Sequence, residues 1–206
     1  MNSLNRRHIL VGSALLAGTA LGIVPALAID MAALNAPSEL GEMELGNPNA
    51  KVTVIEYASA SCPHCAAFYK EVFPEFKKEY IDTNKVRFVF REFPHNDAAL
   101  AAFMVARSLP KEAYFPLIDV FFNTQATWLQ DPRTGLLNIA KQAGMTEDQF
   151  NKVLGDQDLA KKILAVRDKA STFGVTGIPT FFINGEMLDG EQTLDKLKAK
   201  IDPLLG

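Results

Sequence analysis

Residues 51–76 read KVTVIEYASASCPHCAAFYKEVFPEF. From Lys51 to Tyr57 the run is β-branched and mostly apolar, the pattern of a strand buried on both faces. A helix is expected from about Pro63, because proline suits the first helical turn and Cys65, Phe68, Tyr69, Val72 and Phe76 recur on one face. Pro74 is expected to kink it. Cys62 and Cys65 are the two cysteines of the chain, and they stand where strand gives way to helix. A bridge across two intervening residues closes almost no loop in the unfolded chain, so the pair has little value as a structural staple. It is placed for exchange chemistry.

A thiol attacks only as its thiolate. Cys62 sits where the helix begins, next to unpaired backbone N–H groups and the positive end of the helix dipole. A protonated His64 adds a second favourable charge. Cys65, one turn along on the apolar face, is expected to be shielded, which makes Cys62 the exposed attacker and Cys65 the resolving thiol. Stabilising the Cys62 thiolate also stabilises the reduced protein over its disulfide, so Pro63 and His64 between the cysteines point toward donating disulfides. Glu56 interrupts the apolar strand six residues before Cys62, where a carboxylate is costly unless paired or protonated. Arg87 or Arg91 on the next strand is its expected partner.

Working outward, Val86–Phe93 is a second strand, with Val86, Phe88 and Phe90 on one face and Arg87, Val89 and Arg91 on the other. Strand, helix and strand form a βαβ unit, which calls for parallel pairing and a right-handed crossover. Residues 96–155 are helical in pattern throughout and read as a helical insertion. Tyr114, Leu117, Ile118, Phe121 and Phe122 fit one helix face, and Thr146 with Gln149 makes a capping box. Phe115, Phe121, Phe122 and Trp128 read as packing, and His95 as a solvated loop residue. The core resumes at 156–206: a helix closed by Gly174, then Gly177-Ile178-Pro179-Thr180, a strand over Thr180–Ile183, the hairpin turn Asn184-Gly185, and a last helix through Leu194, Leu197, Ile201 and Leu204. Residues 29–50 read as an extended lead-in with a short strand around Met43–Leu45.

The first 28 residues have the three parts of an export signal: Arg6 and Arg7, the apolar run Ile9–Val24, and the small-residue site Ala26-Leu27-Ala28. The pair of arginines leaves Sec and twin-arginine export both open. The mature chain would begin near Ile29 in an oxidising compartment. The whole chain carries a formal charge of −3 and no basic stripe, which argues against nucleic acid as a partner.

Glu56-Tyr57, the tetrad Cys62-Pro63-His64-Cys65, a helical insertion and Gly177-Ile178-Pro179-Thr180 before a hairpin together resemble the DsbA-like thiol:disulfide oxidoreductases of the thioredoxin superfamily, over essentially the whole mature chain. The resemblance implies an α/β thioredoxin-like fold with an inserted all-helical subdomain. It implies a cis Ile178–Pro179 bond beside the cysteines, with the Ile178 backbone pairing with an extended client peptide as an added strand. It places Glu56 beneath the cysteines, moving the resolving thiol's proton. It also implies an oxidase of reduced or unfolded exported proteins, reoxidised by a membrane quinone-linked partner of the DsbB type; the signal points to the periplasm, the short lead-in favours a monomer, and no cofactor is expected.

Two alternatives stand beside that expectation. One is a reductase or isomerase of the same superfamily, although the stretch between the cleavage site and the first strand has room for little more than an arm. The other is a non-enzymatic metal-binding module built on Cys62 and Cys65. Beyond the signal, only His64 and His95 add imidazole to the two sulfurs, a poor set for structural zinc.

Overall fold

The computed structural model describes residues 29–206, so the expected signal and cleavage site at 1–28 lie outside the described residues. Its centre is the strand β2, Val52–Ala58, which is flanked on both sides and buried along nearly its whole length. β3, Val86–Glu92, pairs with it in parallel, as a βαβ unit requires. β4, Thr180–Ile183, pairs antiparallel on its other side, and β5, Glu186–Asp189, follows as the outer arm of a hairpin. β1, Met43–Gly46, lies antiparallel to β3, giving the order β1-β3-β2-β4-β5. The turn Asn184-Gly185 has positive φ at both residues, 45° and 91°, which is the geometry that Asn-Gly favours in a two-residue hairpin.

Alternation along the strands separates two cores. Val54, Phe88, Phe90, Phe181 and Ile183 belong to the larger one, which includes α2 (Pro63–Glu71) and the helices α4 (Asp97–Ser108), α5 (Lys111–Asn123), α6 (Gln125–Trp128), α7 (Pro132–Gln142) and α8 (Glu147–Leu154). Ile55, Tyr57, Val89 and Phe182 face the other way, against Val166, Ala170 and Phe173 of the segment that carries α9 (Gln157–Thr172). The last helix, α10 (Leu194–Leu205), buries Leu197 and Ile201. Tyr69 of α2 stacks on Phe122 of α5, ring centroids 4.2 Å apart, and so joins the exchange helix to the inserted layer. Phe121 and Phe122 are core residues, and Trp128 is buried with its indole N–H donating to the Phe121 carbonyl at 2.8 Å. The Thr146–Gln149 capping box forms as the spacing predicts.

Two local expectations are corrected. The lead-in is not simply extended: Asp30 caps a five-residue helix, α1 (Met31–Asn35), whose Leu34 is fully buried in the second core. One turn and a half is too short to carry a helical period. The helix after the cysteines does not run kinked through Phe76 but breaks. α2 ends at Glu71, α3 covers Phe73–Phe76 with Pro74 in its first turn, and a π-helical turn, Lys77–Ile81, completes the segment. Pro74 has no N–H to donate back, so the first helix closes and a second begins around it. Among the described residues no helix is long and apolar enough to cross a membrane.

Candidate active site

Cys62 is the N-cap of α2 in extended conformation, and Pro63 is the first helical residue. That geometry follows from the sequence: proline fixes the first turn, and the backbone N–H groups ahead of it find no carbonyl within the helix. Cys65, three residues on, turns into the core and is fully buried, while Cys62 retains 6% exposure. Cys62 was expected to be an exposed attacker. It is instead nearly covered, and its advantage over Cys65 is one of degree in access and of kind in ionisation.

The environment pushes the two thiols in opposite directions. The Cys62 thiol is lowered to about 6, first by the hydrogen bond from Cys65, then by the backbone N–H groups of Cys65 and His64 and the nearby His95 imidazole, all working against partial burial. The Cys65 thiol is raised well above its ordinary value, first by burial and then by the hydrogen bond and charge of Cys62, with Glu56 adding to the rise. At neutral pH the arrangement is one thiolate hydrogen-bonded by one thiol.

His64 is raised as a protonated neighbour should be, but chiefly by another partner. Its side chain is 66% exposed and its Nδ1 meets the carboxylate of Glu191, in the loop between β5 and α10. That contact raises the His64 imidazole, with the Cys62 charge the least of the influences on it. His64 serves Cys62 mainly through its backbone N–H, and His95 adds a second imidazole on the sulfur.

Glu56 is fully buried, and neither carboxyl oxygen has a hydrogen-bond partner among the described residues; the Tyr69 hydroxyl is orphaned too. Burial pushes the Glu56 carboxyl well up, only partly offset by the nearness of Tyr69. Neither expected arginine pairs with it. Arg87 meets Glu44 at 2.7 Å, and Arg91 meets Glu42 at 3.0 Å and the Tyr57 hydroxyl at 2.9 Å. The register explains this: Glu56 lies opposite Phe90, while Arg87 and Arg91 lie opposite Thr53 and Tyr57. Odd and even residues face opposite sides of the sheet. Glu56 therefore points to the cysteine side as an acid without a partner among the described residues, its burial favouring the protonated form.

The Ile178–Pro179 peptide is cis, and the Ile178 carbonyl lies 3.7 Å from the Cys62 sulfur, accepting its S–H when Cys62 is the thiol. Chain segments more than a hundred residues apart thus meet at one sulfur.

Several neighbours were not legible beforehand. Gln125 of α6 is buried and donates to the carbonyls of Ala60 and Cys62 at 2.9 and 3.0 Å, fixing the cysteine loop from the inserted layer. His95 is exposed, as a loop histidine should be, yet its Nδ1 is bonded to the buried Ser59 hydroxyl at 2.8 Å. Glu191 reaches His64. No local signal marks any of these, because each acts across a long stretch of sequence. Among the described residues no three His, Cys, Asp or Glu side chains converge as metal ligands would.

A dithiol with divergent ionisation, at the junction of a central strand and a helix and under the carbonyl of an X-Pro bond, defines a thiol–disulfide exchange site on a thioredoxin-like sheet. The family model described as thioredoxin matches residues 38–203, and the chain belongs to that family, within it to the DsbA-like disulfide oxidoreductases. A Rickettsia bellii protein provisionally named a protein-disulfide oxidoreductase is 35% identical over 167 residues, 78% of this chain and 63% of that protein. The chain thus spans about three fifths of the length of the curated relatives it matches first. The crystal structure of alpha-DsbA1 from Wolbachia pipientis has a TM-score of 0.76 at 33% identity, covering 84% of this chain and 94% of that one. Oxidised BdbD from Bacillus subtilis shares the fold at a TM-score of 0.71 and 22% identity, covering 82% of this chain and 95% of that one.

Proposed function

We propose that this protein is an exported dithiol oxidase that introduces disulfides into reduced or unfolded client proteins. The observation that carries the reading is the opposed displacement of the two thiols, Cys62 down to about 6 and Cys65 up. A stabilised Cys62 thiolate makes the reduced pair the favoured state, so the oxidised pair gives up its disulfide readily.

In the oxidised protein a client thiolate attacks the Cys62 sulfur. The client–Cys62 bond forms, the Cys62–Cys65 bond breaks, and Cys65 leaves with the electron pair. Cys65 is a poor leaving group in its buried setting, and the protonated Glu56 carboxyl on the same side of the sheet is the acid that supplies its proton. A second client thiolate then attacks the client sulfur of the mixed disulfide. Cys62 departs as a stable thiolate, and two electrons have passed from client to protein. The Ile178 backbone, already over the sulfur, pairs with the extended client chain, so affinity comes from main-chain bonds that many sequences can make. Turnover needs an oxidant, and a membrane quinone-linked partner of the DsbB type fits an enzyme of this class in the periplasm, reached through the Sec or twin-arginine route.

Cys65→Ala is expected to accumulate mixed disulfides with exported proteins through Cys62, visible as reducible bands on a non-reducing gel. Cys62→Ala is expected to show none. A Cys65→Ala protein that traps nothing contradicts the assigned roles.

A further inference from the structure

Asn96 is the N-cap of α4, and its side-chain Oδ1 accepts the Ala99 N–H at 2.9 Å. A backbone amide only donates, so this contact fixes which end of the Asn96 amide is oxygen. The same oxygen accepts the Ser61 hydroxyl at 3.0 Å. The NH2 group is thereby turned toward Nε2 of His95, 3.2 Å away. A donor facing a ring nitrogen requires that nitrogen to carry no proton. The ring proton then sits on Nδ1, which donates to the Ser59 oxygen at 2.8 Å.

Both serines belong to the segment that presents the attacking sulfur. Ser59 is fully buried and Ser61 nearly so, and the Ser59 carbonyl accepts the N–H of Cys62 itself at 3.0 Å.

We infer that His95 and Asn96 form a positioning pair for the reaction at Cys62, with the Nδ1–H of His95 holding Ser59, Asn96 holding Ser61, and the two together setting the loop that carries the sulfur. The inference rests on Cys62 being the reactive thiol. A proton added to Nε2 would set two donors face to face, and Asn96 cannot turn without losing its bond to the Ala99 N–H. The other charged groups at this place are Asp97 of α4 and Arg167 of α9, which with His95 line a cleft of about 260 Å3. Arg167 is already engaged by Asp168 at 2.7 Å.

Long-range 1H–15N spectra of the reduced full chain at pH 8 read the tautomer directly, and a bare Nε2 with a protonated Nδ1 is expected. Asn96→Asp keeps the cap acceptor and presents a carboxylate oxygen to the ring, so it is expected to move a proton onto Nε2. His95→Ala is expected to slow alkylation of Cys62 by iodoacetamide at pH 6 by about threefold or more, measured well below the variant's melting temperature so that the folded protein is read. His95→Asn, which keeps a donor toward Ser59, is expected to recover most of that rate. A wild-type ring protonated on Nε2, or a His95→Ala pH profile that superimposes on wild type, overturns the inference. Neither readout depends on the direction of electron flow, so failure here is separable from failure of the oxidase reading.

Discussion

Glu56 shows what a single buried acid does to this molecule. In the unfolded chain its carboxyl ionises around the ordinary value of 4.5, whereas in the folded chain burial keeps it protonated well above that. The unfolded state thus releases a proton that the native state holds, and native stability falls as pH rises from about 4.5 toward the raised folded value. Glu56→Leu is expected to stabilise the reduced protein at pH 7 by about 1–3 kcal/mol in urea unfolding, the cost of an unsatisfied buried polar group. That gain should shrink toward pH 4, where wild type pays no ionisation penalty. A gain that is equal at both pH values contradicts the protonated assignment. The sequence showed that Glu56 was anomalous, because a lone acid in an apolar strand stands out. It did not show that the acid is unpaired, since pairing depends on the register of β2 against β3, and that register sends both arginines to the opposite face. Cys62 and Cys65 were legible for the same reason that Glu56 was: their chemistry and their spacing are local. The reach of His95 to Cys62 was not, because it is made by a loop that follows the next strand.

Elements rather than residues decide how firmly the cysteine loop is held. α6 is a single helical turn, invisible to any periodicity, and its Gln125 is the one described side chain of the inserted layer that bonds the carbonyls of both Ala60 and Cys62. The strands β2, β3 and β4 and the long helices could be read from alternation and from helical spacing, because packing at those places follows the local period. α1 and α6 could not, since four or five residues fix no period and tertiary contacts alone stabilise them. Gln125→Leu fills similar space but leaves the Ala60 carbonyl without its donor, while the Cys62 carbonyl keeps only the Ala66 N–H at 3.1 Å. It is expected to cost about 1–3 kcal/mol in urea unfolding. Unchanged stability would mean that the Ala60 carbonyl finds another donor and that α6 does not brace the loop.

Over the whole molecule, the architecture sets the energy of one sulfur. The central sheet brings Cys62 to the end of β2, α2 offers its backbone N–H groups, and Cys65 beneath completes the hydrogen bond. The folded Cys62 thiol sits at about 6 against an ordinary value of 9.0, so its contribution to the reduced protein is present above about pH 9 and fades as pH falls through about 6. Only the reduced form gains from this, because the disulfide has no thiolate to stabilise. The equilibrium potential of the Cys62–Cys65 couple against a glutathione buffer at pH 7 measures that difference directly. A dithiol oxidase requires a value more oxidising than about −200 mV, whereas a value near the roughly −270 mV of a thioredoxin reductant would contradict the assigned direction of electron flow.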